Sequence, residues 1–342
     1  MEILGKRSSK NKLKISMVNK IDLDLRGRFV KDYNLPIQVL ISPYFEYFLD
    51  LYQEDYGSKS KWDKLQKDIE TKFEGKPGKY LDHFYITRNK IIEDIEKSEN
   101  YKHFCEDKEF FTRFSIPGEI KRDLYTGEQV NKLFLSIDLK KANFQAVRFY
   151  NPGLVFGAKT YKEFISLYDN SDLLAESKYT RQVIFGKLNA KRQITLEKYL
   201  MYRISEEINS ILPKDFIIFS RQTDEIIYEL PKDYLPGEIE EQIVSVAKER
   251  LGLEVKVEVF TMTMLQRFTK EGSSVVGLSK NYLYPINKKS TLHKVPGVHF
   301  PQMYKMWKGK EIDPKYDLVL LHEGQLAHFD YPLFLYNNAE KV

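Results

Sequence analysis

The sequence predicts an α+β protein, an antiparallel sheet with helices on one face, preceded by a helical region and followed by a basic extension. Three observations carry that expectation. The first 120 residues place apolar side chains at helical spacing, while Leu133 to Ile137, Phe216 to Phe219 and Ile226 to Leu230 are short β-prone runs beside acidic residues. Between Ile194 and Phe260 a helix, a hairpin, a second helix and an alternating strand follow one another, which stacks helices on one side of a sheet.

Residues 1–130 are expected to be mainly helical. They open on a basic arm, 1–20, where Lys6, Arg7, Lys10, Lys12, Lys14 and Lys20 face only Glu2, either as a tail or as a phosphate-contacting segment. Val39, Leu40, Tyr44, Tyr47, Phe48 and Leu51 recur at near-helical spacing, with Pro43 marking a helix start. Phe84, Ile91, Ile92 and Ile95 define an amphipathic helix with a charged outer face, and Pro117-Gly118 breaks the pattern.

Residues 131–260 hold the informative chemistry. Leu133 to Ile137 suits a buried strand, and Asp138 stands where that run turns polar, ahead of a helix or turn. An insertion, 151–185, starts at the Pro152-Gly153 turn, continues as a helix through Phe164, Leu167 and Tyr168, and carries Lys159, Lys162, Lys178 and Arg181. Leu196, Leu200, Ile204, Ile208 and Ile211 share one face of a helix over Ile194 to Leu212. The polar cluster Ser220 to Glu225 then reads as a hairpin turn with Asp224 and Glu225 at the rim of the sheet. A helix over Glu238 to Leu251 and a strand over Glu254 to Phe260 follow. Carboxylates on rigid strand ends are hard oxygen ligands suited to Mg²⁺, although an acidic turn alone is equally a solvated one.

Residues 261–342 form a basic, aromatic segment that ends in a hairpin around Glu323-Gly324. Its cations, Lys294 and Lys305 among them, suit a groove that tracks a phosphate backbone; the alternative is a small subdomain whose rings fill its own core.

Composition narrows the function classes. Lys and Arg total 54 against 49 acidic residues, a net charge of +5 that permits nucleic-acid contact without requiring it. Cys105 is the only cysteine, which excludes an intrachain disulfide and a cysteine-rich zinc site. None of the six histidines forms an HxxxH pair, so all six are expected to be structural or surface residues, and Asp22 and Asp24 are expected to be surface charges. With no long apolar run and no apolar leader, the protein is expected to be intracellular and away from membranes, cytoplasmic or nucleoid-associated, in a host cell if the chain is viral.

Three segments in order resemble the palm of right-hand polymerases, and family A DNA polymerases in particular. Leu135 to Arg148 is similar to the first palm motif, an apolar strand ending in a metal-binding aspartate. Asn189-Ala190, Gln193 and Thr195 keep the Asn-Ala-x-x-Gln-x-Thr spacing of a palm helix. The segment TDEIIYELPKDY, followed by a helix and VKVEVF, resembles the third motif and its sequel. Two departures stand out: Thr223 replaces the usual histidine, and Asn143 stands where family A carries Glu and reverse transcriptases carry an aromatic. The choice of sugar is therefore open, and Asp138, Ala142 and Phe144 also resemble the reverse-transcriptase version of the motif.

The resemblance implies an Mg²⁺-dependent nucleotidyltransferase, with Mn²⁺ as a substitute, that extends a 3′-hydroxyl on a primer and template with nucleoside triphosphates, a DNA polymerase serving DNA replication. It implies Asp138 and Asp224 as ligands of two metal ions, Glu225 as a third acid, and Asn189 and Gln193 at the terminal base pair. Asn143 would lie near the sugar, and Lys159, Lys162, Lys178 and Arg181 are candidates to neutralise the triphosphate. A reverse transcriptase or an RNA primer-extending or tailing enzyme is the alternative chemistry. A catalytically silent nucleic-acid-binding protein is the alternative class.

Overall fold

The computed structural model describes residues 20–170 and 172–334, so the basic arm, apart from Lys20, lies outside the described residues. Seven helices come first: α1 (Lys20–Asp32), α2 (Tyr44–Leu51), α3 (Gln53–Tyr56), α4 (Ser58–Lys72), α5 (Pro77–Glu96), α6 (Glu99–Glu106) and α7 (Phe110–Arg113). Strand β1 (Leu133–Leu139) leads into α8 (Ala142–Tyr150), followed by α9 (Tyr161–Ser166), α10 (Asp172–Glu176), α11 (Lys178–Gly186) and the long α12 (Ala190–Ile208). The hairpin β2 (Ile217–Arg221) and β3 (Glu225–Leu230), helix α13 (Glu238–Leu251), and strands β4 (Val255–Phe268), β5 (Ser274–Tyr284) and β6 (Thr291–His293) come next. The chain closes with α14 (Phe300–Trp307) and the hairpin β7 (Val319–His322) and β8 (Gln325–His328).

The fold is α+β, as expected. Six antiparallel strands form one sheet in the order β2-β3-β1-β4-β5-β6, and β7 and β8 form a separate pair. Strand β1 sits inside the sheet because its helix-covered face is wholly apolar and Phe134 is buried on the other. Leu133, Leu135, Ile137 and Leu139 pack with α8, α12 and α13, through Val147, Leu200, Ile204 and Ile243 among others. On the opposite face Phe134 stacks 5.9 Å from Phe260 and lies 5.2 Å from Phe219, in a smaller apolar patch with Leu124, Ile227 and Met262. Burying such side chains contributes roughly 1.5–3 kcal/mol each. The helices thus hold one face, and the second face is left partly open where Ser136 and Asp138 follow Phe134 at period two.

The expected division near residue 260 falls inside β4, which continues to Phe268 and carries β5 and β6 into the same sheet. The two ends of the chain also share a core. Phe29, Phe45, Phe48 and Tyr52 from the first helices pack with Phe300, Met303 and Tyr304 of α14, and the rings of Tyr52 and Tyr304 are 5.0 Å apart. The described part of the N-terminal region therefore does not stand alone.

Lys305 belongs to that shared core. Its ammonium lies 2.7 Å from the carboxylate of Asp317, which is fully buried and also accepts the Tyr47 hydroxyl at 2.7 Å. This corrects the expectation that Lys305 contacts nucleic acid, because a cation enclosed with its own counter-ion has no face for a phosphate. Removing one partner of a buried pair leaves the other charge uncompensated, so Lys305→Met is expected to lower stability by about 3 kcal/mol in urea unfolding. A loss well under 1 kcal/mol would contradict the burial of the pair.

Candidate active site

The acidic site is built by strand register. Asp138 on β1 stands directly opposite Glu225 on β3 and Lys256 on β4, and residues paired this way project to one face of the sheet. The turn before β3 is tied to the same ledge: the Leu139 amide donates to the Asp224 carbonyl at 2.9 Å, and the Gln222 amide donates to the Glu225 carbonyl at 2.9 Å. Asp224 is exposed, whereas Asp138 and Glu225 are half-buried. Glu225 is held from below by the Ser136 hydroxyl, which donates to its Oε1 at 2.5 Å.

Burial and neighbouring charge together set the protonation of the row. The Asp138 carboxyl is pushed up to about 6, first by burial and then by Asp224 and Glu225, with Lys256 and Lys178 pulling the other way. Glu197, on α12, rises to about 7 through burial and the Asp224 charge. Lys256 answers part of this, 3.9 Å from Asp138 and 3.2 Å from Glu258, and Lys288 also pairs with Glu258. Lys288 falls to about 8 because of burial and Lys256.

Helix α11 faces this ledge with positive charge. Its N-cap Ser177 accepts from the Thr180 amide, which starts the helix and sets Lys178 and Arg181 in its first turn. Both cations act electrostatically on Asp138. Arg181 lies 5.7 Å over the Tyr161 ring, and its Nε is buried without a hydrogen-bond partner. A buried donor of that kind is costly unless a ligand completes it.

The remaining candidates separate. Asn143 is in the first turn of α8 with its oxygen accepting the Phe144 amide at 2.9 Å. Lys159 lines a cavity beyond the β1–α8 turn, and Lys162 pairs with Asp172 at 2.9 Å on the outer surface. Asn189 caps α12 with φ of 46°, and its oxygen accepts the Arg192 amide at 3.4 Å. Gln193 is buried and its amide donates to the Phe185 and Leu188 carbonyls, so the side chain closes the α11–α12 turn and is not presented to a base pair, a correction to that expectation. Lys294 lies 5.4 Å over Tyr125 on the open face of the sheet.

Sequence reasoning missed Lys256 and Glu197. The alternation in VKVEVF already puts Lys256 and Glu258 on one face, and Glu197 is one helical turn past Gln193, so both signals were present. What neither discloses is which strand or turn lies alongside.

Among the described residues no three His, Cys, Asp or Glu side chains form a preassembled metal cage. The donor set still fits Mg²⁺, which takes one or two protein carboxylates and completes its shell with substrate phosphates and water. Asp138, raised first by burial and further by Asp224 and Glu225, is a carboxyl whose ionised form a divalent cation would favour. No protein-family model, curated protein or solved structure matches the chain, so the site's own chemistry carries the functional reading. No helix among the described residues is long and apolar enough to cross a membrane.

Glu197 provides a test of this electrostatic picture. Its folded value, about 7, lies above the ordinary 4.5, so its ionisation in the folded state opposes stability increasingly as pH rises from about 4.5 and fully above 7. Glu197→Gln is expected to stabilise the protein by about 2 kcal/mol at pH 8, discounted for partial exposure, and to change little at pH 4. Equal effects at both pH values in urea unfolding would overturn the assignment.

Proposed function

We propose that the protein is a nucleic-acid polymerase of the right-hand type, with the six-stranded sheet as its palm, adding nucleoside monophosphates from triphosphates to a 3′-hydroxyl, with DNA as the expected product. One observation supports it above the others. Asp138 pairs across β1 with Glu225, the backbone of the neighbouring Asp224 is bonded to β1 and its charge acts on Asp138, and the cations Lys178 and Arg181 act on Asp138 from a separate helix.

In this reading Asp138 and Asp224 would hold Mg²⁺, or Mn²⁺ in its place, and Glu225, fixed by Ser136, supports their orientation. Bound metal supplies stabilisation of charge on the attacking and leaving oxygens. Lys178 and Arg181 neutralise the triphosphate, and Arg181 Nε gains the acceptor it lacks. The open face beside the acids offers Tyr125 and the exposed Lys294 to a strand, with Lys294 5.4 Å over the Tyr125 ring. Rings and cations in one surface suit a nucleic-acid backbone and its bases.

A second reading, binding without chemistry, is favoured by Lys256, which already brings a cation within 3.9 Å of Asp138. Purified protein offered labelled nucleotides, Mg²⁺ and a primed DNA or RNA template distinguishes the two. Extension that is lost in Asp138→Asn and Asp224→Asn, with oligonucleotide binding retained, supports the polymerase; extension at wild-type rate in both variants refutes the assignment. Lys178→Ala and Arg181→Ala are each expected to lower kcat/KM for nucleotide by on the order of 10²-fold, while leaving primer affinity near wild type.

A further inference from the structure

A cavity of about 600 Å³ opens just past the acidic row, where the β1–α8 turn meets the end of α13 and the residues before α9. Its lining is strongly positive: Lys140, Lys141, Arg148, Lys159 and Lys248, with Glu254 the acid among them. Arg148 is fixed in place, donating to the Lys159 carbonyl at 3.1 Å and the Gly252 carbonyl at 2.8 Å. Lys162 at the rim is already answered by Asp172. Among the described residues the ammonium groups of Lys140, Lys141, Lys159 and Lys248 form no ion pair within 4.0 Å, and Glu254 acts on Lys141 only at longer range. Like charges gathered around one concavity repel unless an anion joins them.

We propose that this cavity binds a chain of linked phosphates, distinct from the acidic ledge and adjoining it through Lys140 and Lys141. Several ammonium groups converging from three segments match a ligand with several negative oxygens better than a single carboxylate or sulfate, because each phosphate can meet its own cation. The ligand's source rests on the polymerase reading: the triphosphate of a nucleotide, or the inorganic diphosphate that its use releases. The binding chemistry itself does not need that reading.

The test uses the full chain without metal or nucleic acid, titrated calorimetrically with inorganic tripolyphosphate at about 50 mM salt, where screening is modest. Binding is expected in wild type, at least about tenfold weaker in the double variant Lys159→Glu with Lys248→Glu, and unchanged within about twofold in Asp138→Asn. Both reversed lysines are exposed, and an unchanged melting temperature confirms that the variant folds. No binding by wild type, or equal affinity in the double variant, overturns the proposal. Parallel titrations with nucleoside triphosphate and with diphosphate identify the source by which affinity the double variant loses. Absence of primer extension together with intact tripolyphosphate binding would refute the polymerase reading alone.

Discussion

Backbone pairing of β1 with β3 on one side and β4 on the other is the constraint on which the rest depends. It sets Asp138, Glu225 and Lys256 in a single row, and it does so with hydrogen bonds that are indifferent to charge. The apolar side chains on the helix-covered face fix the register, since a slip of one residue would send Leu135 and Ile137 outward and Asp138 into the core. The packing of one face therefore determines the electrostatics of the other.

Much of this was legible in the residues. Asp138 and the Asp224-Glu225 pair could be placed at strand ends because each follows or precedes an unambiguous apolar run, and α12 and α13 followed from three-and-four spacing. Orientation was not legible. The Asn189 to Thr195 spacing locates a helix start but does not say that Gln193 turns inward to meet the Phe185 and Leu188 carbonyls. Lys305 lies among rings, a composition shared by a binding groove and an aromatic core; its partner Asp317 settles which one, through a contact that periodicity does not encode. The continuation of β4 past Phe260 went unread because the resemblance stops there, although Thr261-Met262-Thr263-Met264 keeps the period-two alternation of a strand.

The shared core of the two chain ends changes how the cleft is held. Residues before α5 and after β5 pack on each other, so the segments flanking the sheet form one body in place of two appendages. Tyr304 adds a polar tie, its hydroxyl donating to Asp55 at 2.6 Å, while Lys308 pairs with the same carboxylate at 2.8 Å. Such contacts join the first and last thirds of the chain without passing through β1, and the acidic ledge is left to the sheet alone.

Helix α11 illustrates the result. Arg28 of α1 pairs with Asp32 at 2.8 Å and donates to Thr180 at 2.7 Å, and Ser177 donates to Asp32, all of it buried. The first turn of α11 is thus fastened to α1, whereas the carboxylates that its cations act upon ride on β1 and β3. The cations of the site and its carboxylates are carried by different elements, α11 and the sheet, so the field between them depends on how α11 packs on the core beneath β1.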